Sequence, residues 1–174
     1  GIGNTPWTVL AEGIAINIDW TVGQATFLVS FLVLLLWIPL KEKPGIGTIL
    51  NAIIIAAAIE VMVPRLPTPE AQWMAIAQVL LGVLLIGIGS GIYLTANLGP
   101  GPRDGWMTGL QRVSSIPIAK VRGAIEISVL AIGWLVLGGT FGIGTIVFAV
   151  LIGPVVAVCL NLAGRFGSPG EVHG

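Results

Sequence analysis

The chain has 174 residues, 55% hydrophobic and 9% charged, with zero formal net charge and a mean hydropathy of +0.99. Water-soluble domains carry about 25% charged residues, so this composition excludes an ordinary soluble domain, and the zero net charge supplies no basic field for nucleic acid. A lone Cys159 and a lone His173 leave no disulfide framework, no Cys/His metal set and no Ser–His pair, so no enzyme, metal or cofactor is expected.

Residues 5–18 are short and mildly apolar, with Thr5 as N-cap and Pro6 at the first helical position. They predict a short, non-spanning helix. Glu12 on it lines an entrance if the helix re-enters the membrane, and is merely solvated if it lies flat. Residues 22–40 form the first apolar run and residues 45–63 the second, which stops at Pro64-Arg65-Leu66-Pro67. Each is about 20 residues, enough for a helix to cross ~30 Å of hydrocarbon. Asn51 is a polar group inside the second run, either bonding across helices or binding a ligand. Glu60 is expected to snorkel or to pair with Arg65.

A third span covers residues 73–96, and its Gly87, Gly89 and Gly91 predict close helix packing. Residues 102–115 repeat the short-helix pattern, with Pro102 at the start and Asp104 in the first turn, where a negative charge suits the helix dipole. The fourth span, residues 118–137, carries Arg122 and Glu126 at i,i+4 spacing, hence on one helix face. The fifth span covers residues 142–162, and the Gly/Ser/Pro-rich tail, residues 165–174, is expected to be disordered. Trp20, Trp37, Trp73 and Trp134 fall near span ends, where interfacial anchors sit.

The pentapeptide Gly-Ile-Gly-Thr-Ile occurs at residues 45–49 and again at 142–146. Gly3, Pro6 and Gly13 match Gly99, Pro102 and Gly109 at a spacing of 96, while Trp37 and the pentapeptide match their second copies at a spacing of 97. The unit is a short helix followed by two spans. In the second copy a further span precedes it, and in the first copy that span is absent. The expected fold is therefore an all-α polytopic membrane protein of two inverted-topology repeats. Each repeat has three spans plus a short non-spanning helix, and the first span is lacking here. Residues 1–72 form the first repeat and residues 73–164 the second. The repeat glycines Gly45, Gly47, Gly142 and Gly144 read as packing or tight turns, or as helix starts that expose N–H groups to a substrate.

Three spans per repeat put the two repeats in opposite orientations. Seven of the eight Lys/Arg residues then fall on one side, with only Arg65 opposite. The positive-inside rule places Lys41, Lys43, the Arg103 loop and the C-terminus in the cytoplasm.

The string Gly99-Pro100-Gly101-Pro102-Arg103-Asp104-Gly105, then Arg122 with Glu126, then Gly138-Gly139-Thr140-Phe141-Gly142-Ile143-Gly144-Thr145 and Gly153-Pro154 resembles the YczE/YyaS/YitT group of bacterial membrane proteins, its YczE-like branch above all. The resemblance implies a multi-span protein of the bacterial inner membrane and no settled molecular function.

Candidate site residues follow from polarity in apolar surroundings. Arg103 and Asp104 enter a helix N-terminus from a Gly/Pro-rich loop, where free N–H groups and the dipole attract anions. Alternatively Asp104 caps its helix and Arg103 meets lipid headgroups. Glu126 is a costly intramembrane carboxylate. It is either a coupling or ligand group, or the partner of Arg122 or Arg103. With Asn51 these are the expected substrate-binding residues. The leading expectation is a transporter or channel for a small solute or ion. The other is a non-transporting accessory subunit. Its expected partners are the bilayer and either copies of itself or a larger membrane complex.

Overall fold

Hydrocarbon leaves a backbone only two ways to satisfy its own N–H and C=O groups, a helix or a closed barrel. This chain takes the first. The computed structural model describes residues 3–67, 69–95 and 98–166, and among them there are helices and no strand. The helices are α1 (Pro6–Ile18), α2 (Val22–Leu35), α3 (Trp37–Leu40), α4 (Ile46–Met62), α5 (Gln72–Thr95), α6 (Pro102–Ser114), α7 (Ile118–Ala131) and α8 (Ile143–Phe166). A 3-10 turn, Val63–Arg65, extends α4, and a π-helical turn, Ile132–Val136, extends α7. The stretches Val22–Leu40, Ile46–Arg65 and Gln72–Ser90 are long and apolar enough to cross a membrane. The protein is a helical membrane protein.

Local sequence explains the breaks. Pro39 lacks an N–H and its ring opposes the carbonyl four residues back, so α2 ends at Leu35 and α3 continues after one turn residue. Thr21 caps α2 reciprocally with Gln24: each donates a backbone N–H to the other's side-chain oxygen at 3.2 Å. Thr5 caps α1 by accepting from the Thr8 N–H at 3.2 Å. Both short helices end at a residue in the left-handed region, Asp19 (φ 55°) for α1 and Ser115 (φ 58°) for α6. Two further pairs share that region: Gly3 (φ 103°) with Gly99 (φ 105°), and Lys41 (φ 55°) with Gly138 (φ 76°). Among the described residues, all six with positive φ thus pair at spacings of 96 or 97.

Packing places the short helices at opposite ends of α2. The second half of α1 lies beside the start of α2, where Ala11, Ala15 and Ala25 form one buried cluster. It also lies against the end of the α7 segment, where Gly13 abuts Leu137 and Asn17 donates to the Leu137 carbonyl at 2.9 Å. The second half of α6 lies beside the end of α3, where Gly109 abuts Leu40 and Glu42. Arg112 ties it there, at 2.9 Å to both the Leu40 carbonyl and the Glu42 carboxylate. Elsewhere α2 packs on α4, with Gly23 against Ala56 and Glu60, and α5 packs on α8, with Gly87 against Val155.

Several expectations need correction. Trp37 is not an interfacial anchor: it is 2% exposed, and its indole N–H donates to the Pro102 carbonyl at 2.9 Å. Trp20, Trp73 and Trp134 are exposed. Gly87 meets Val155, whereas Gly89 meets no atom within 4 Å and so does not serve close packing; the surroundings of Gly91 lie outside what is described. Glu60 makes no ion pair with Arg65, whose guanidinium instead bonds the Val61 carbonyl. Arg165 continues α8 rather than starting a tail; the disorder expected of residues 167–174 lies outside the described residues.

Candidate functional site

Trp7 and Arg103 occupy the second position of their helices, one residue after the leading prolines of α1 and α6. The Arg103 guanidinium stacks over the Trp7 ring, 4.8 Å from its centroid. Trp106, one turn further along α6, meets Trp7 edge-on at 6.4 Å and 82°. Two short helices tied down at opposite ends of the molecule therefore bring their first turns together. Trp7 shares one core cluster with Val29, Val33, Val121, Ile125 and Val129. The first two lie midway along residues 22–40 and the last two midway along residues 118–136, so the meeting point is at mid-depth.

Glu126 reaches this point from α7. The Trp7 indole hydrogen-bonds its carboxylate, and Arg122 and Arg103 both act on it electrostatically. None of these cations closes to ion-pair distance. Among the described residues the only ion pair is Arg112–Glu42. Arg122 and Glu126 thus share a helix face without forming the direct bridge their spacing suggested. Arg103 keeps its N–H donors free of a carboxylate while lying near two, Glu126 and Asp104. Partly buried cations of this kind bind anionic groups strongly, because few waters compete.

Asp104 does not cap α6. The N-cap is Gly101, which makes no side-chain cap bond. Asp104 instead accepts a hydrogen bond from the Tyr93 hydroxyl of α5. Asn51 comes from a third direction, with its amide oxygen beside Gly101. The four expected site residues therefore gather around the first turn of α6. Arg103 and Glu126 lie on the Trp7 side, Asp104 and Asn51 on the Tyr93 side. A groove of about 220 Å³ opens beside Asn51 and Tyr93.

The repeat glycines hold this loop in place. Gly45 and Gly47 press on Leu98 and Gly99, and the Gly47 N–H donates to the Leu98 carbonyl at 2.9 Å. Thr48, fully buried, accepts from the Gly45 N–H at 3.1 Å and donates to the Pro100 carbonyl at 2.7 Å. Gly142 and buried Thr145 repeat the arrangement against Gly3, with the Gly142 N–H at 3.4 Å from the Thr145 hydroxyl. Gly144 is buried beside them.

Glu12 neither lines an entrance nor stands free. It accepts from the Asn4 amide at 2.9 Å, and from the Thr140 N–H and hydroxyl at 2.8 Å each, strapping α1 to the loop before α8. Sequence reasoning missed this strap, and it missed Trp7 and Tyr93. The pairing of Trp7 with Arg103 at equivalent repeat positions was a signal that could have found the first.

A family model described as a family of unknown function, DUF6198, matches residues 1–161. An uncharacterized protein of Haemophilus influenzae is 46% identical over 165 residues, covering 95% of this chain and 75% of that protein. The uncharacterized membrane protein YczE of Bacillus subtilis is 31% identical over 160 residues, covering 91% of this chain and 74% of that protein. No solved structure matches the chain.

Proposed function

The chain belongs to the DUF6198 family of unknown function, and on that premise we propose that it is a transporter or channel for a small solute or ion. Its pathway runs between two inverted-topology repeats in the bacterial inner membrane. The observation that carries this reading is the contact of Trp7 with Arg103. Residues 96 apart in a duplicated sequence touch when they lie near a pseudo-twofold axis. Short helices converging on such an axis from opposite ends are an arrangement that transporters use at their binding sites.

The chemistry at the junction favours a solute bearing an acidic group. Arg103 and the α6 N-terminus supply positive potential. Glu126 and the Trp7 N–H supply a carboxylate and a donor beside it. Asp104, held by Tyr93, orients the loop that presents Arg103. The Lys/Arg distribution supports a cytoplasmic position for Lys41, Lys43 and the far end of α6, where Arg112 is tied beside them; Arg103 itself lies at mid-depth, not in the cytoplasmic loop expected for it.

The test is solute flux into proteoliposomes holding the purified chain, measured against empty vesicles with acetate, phosphate, glycerol and potassium. At least one solute should enter faster than into empty vesicles. Arg103→Ala and Glu126→Gln should each slow it by about tenfold or more, the loss expected for one charge-assisted contact. No flux above empty vesicles, or flux unchanged in both variants, overturns the reading. That outcome favours an accessory membrane subunit, the simpler role for a centre filled by Trp7 and five aliphatic side chains.

A further inference from the structure

In the second repeat α8 packs on α5. The two helices run parallel. Gln72, Ile76 and Val79 at the start of α5 lie beside Ile143, Gly144 and Val147 at the start of α8, and Gly87 meets Val155 further along. In the first repeat the counterpart of α8 is α4, 97 residues earlier. One of its faces is filled: Ala52 and Ala56 are buried where α4 packs on α2. Another is bare. Leu50 and Ile54 are four residues apart, hence on one helix face, with Ile55 beside them. Their counterparts are Val147, Leu151 and Ile152. Ile152 is 5% exposed and Ile55 40%. Val147 and Leu151 are half-buried, whereas Leu50 and Ile54 are exposed. Both sets are apolar, so their chemistry does not separate them. The difference is the neighbour: α5 lies along α8, and among the described residues no helix covers this stripe of α4.

Gly3 is a second, independent sign. Gly99 (φ 105°) turns the chain that has left α5 and sets it against Gly45 and Thr48 at the start of α4. Gly3 (φ 103°) makes the same turn and sits against Gly142 and Thr145 at the start of α8. A chain reaching Gly3 therefore has the geometry of one that has come from a helix placed as α5 is. A helix needs about 20 apolar residues to cross ~30 Å of hydrocarbon. About a quarter of each relative lies outside the stretch it shares with this chain, which is room enough.

We propose that the Leu50, Ile54 and Ile55 face of α4 is the seat of a further membrane-spanning helix of the same polypeptide, upstream of Gly1, parallel to α4 and equivalent to α5. A second copy of the chain or a lipid could cover α4, but neither accounts for Gly3 sharing the turn of Gly99. In a bilayer such a helix is held by close packing rather than by removal of apolar surface from water. Set in place, it closes the groove beside Asn51 and Tyr93 to lipid, since Leu50, Ile54 and Ile55 line that groove. Only the duplicated architecture proposed above is needed for this, not transport, so solute flux and the experiment below fail independently.

The experiment uses the protein expressed from its own gene, with all sequence ahead of Gly1 kept. The photoreactive residue benzoylphenylalanine replaces Ile54, Ile55, Ile53 or Ile152 in turn. Cells are irradiated, and the cross-linked peptides are sized on a denaturing gel and mapped by mass spectrometry. The probes at Ile54 and Ile55 should join α4 to an apolar peptide upstream of Gly1 within a single polypeptide, with no band of doubled mass. The probe at Ile152 should join α8 to α5. The probe at Ile53 should give no upstream peptide, because its counterpart Val150 stays exposed beside α5. Adducts of Ile54 and Ile55 with lipid alone, or with a second copy at doubled mass, overturn the proposal. So does a gene with no apolar segment of helix length ahead of Gly1, or an Ile152 probe that misses α5, since the packing of α5 on α8 is the template.

Discussion

Gly105 shows how closely single residues hold the α6 loop. A methyl group there would collide with the Trp37 indole, and Trp37 cannot retreat because it is buried and bonded to the Pro102 carbonyl. Overpacking of this kind costs about 1–3 kcal/mol. Gly89 faces open space on the same protein, and there the better helix propensity of alanine is worth up to about 1 kcal/mol. Gly105→Ala should therefore lower the melting temperature in detergent, while Gly89→Ala leaves it unchanged or raises it. Equal shifts would mean that the Trp37 contact does not hold the loop. At this scale the site is only half legible in the sequence. Arg103, Asp104 and Glu126 stand out because charge in an apolar chain is rare and costly. Trp7, Trp37 and Tyr93 do not, because aromatic residues in such a chain also serve as interfacial anchors and packing. Only their neighbours in space separate those roles.

Whole helices were easier to read than their uses. Apolar runs of about 20 residues set the long helices directly, and Pro6 and Pro102 set the starts of the short ones. What the sequence does not carry is how the short helices are tied down, since each tie joins residues far apart in the chain. Glu12 reaches Thr140, and Arg112 reaches Leu40 and Glu42. The Glu12 strap is the one to test, because three donors converge on a single carboxylate. Glu12→Gln keeps the size but turns one acceptor oxygen into a donor facing donors. A loss of about 1–3 kcal/mol is expected, read as a lower denaturant midpoint. Amide exchange should also quicken in the loop before α8. If only the midpoint moved and that loop stayed protected, Glu12 would act through the bulk of α1 rather than through Thr140.

At the scale of the molecule the proposed inversion makes a sharp demand: equivalent residues must face opposite compartments. Trp20 and Ile116 are such a pair, 96 residues apart, each one residue past the left-handed end of its short helix and each exposed. The intervening helices alternate in direction, α1 packs at the start of α2, and α6 packs at the end of α3. These placements put the two loops at opposite ends of the bundle. The sign follows from charge, since Lys41 and Lys43 lie at the α6 end and the cytoplasmic side collects Lys and Arg. In a Cys159→Ser background, Trp20→Cys should react with a membrane-impermeant maleimide added to intact cells. Ile116→Cys should react only after the inner membrane is breached. Both reacting from outside would mean parallel repeats, and the meeting of Trp7 with Arg103 could not then mark an axis lying in the membrane plane. The reverse pattern would keep the inversion and flip the protein, placing Lys41 and Lys43 outside, against the charge bias.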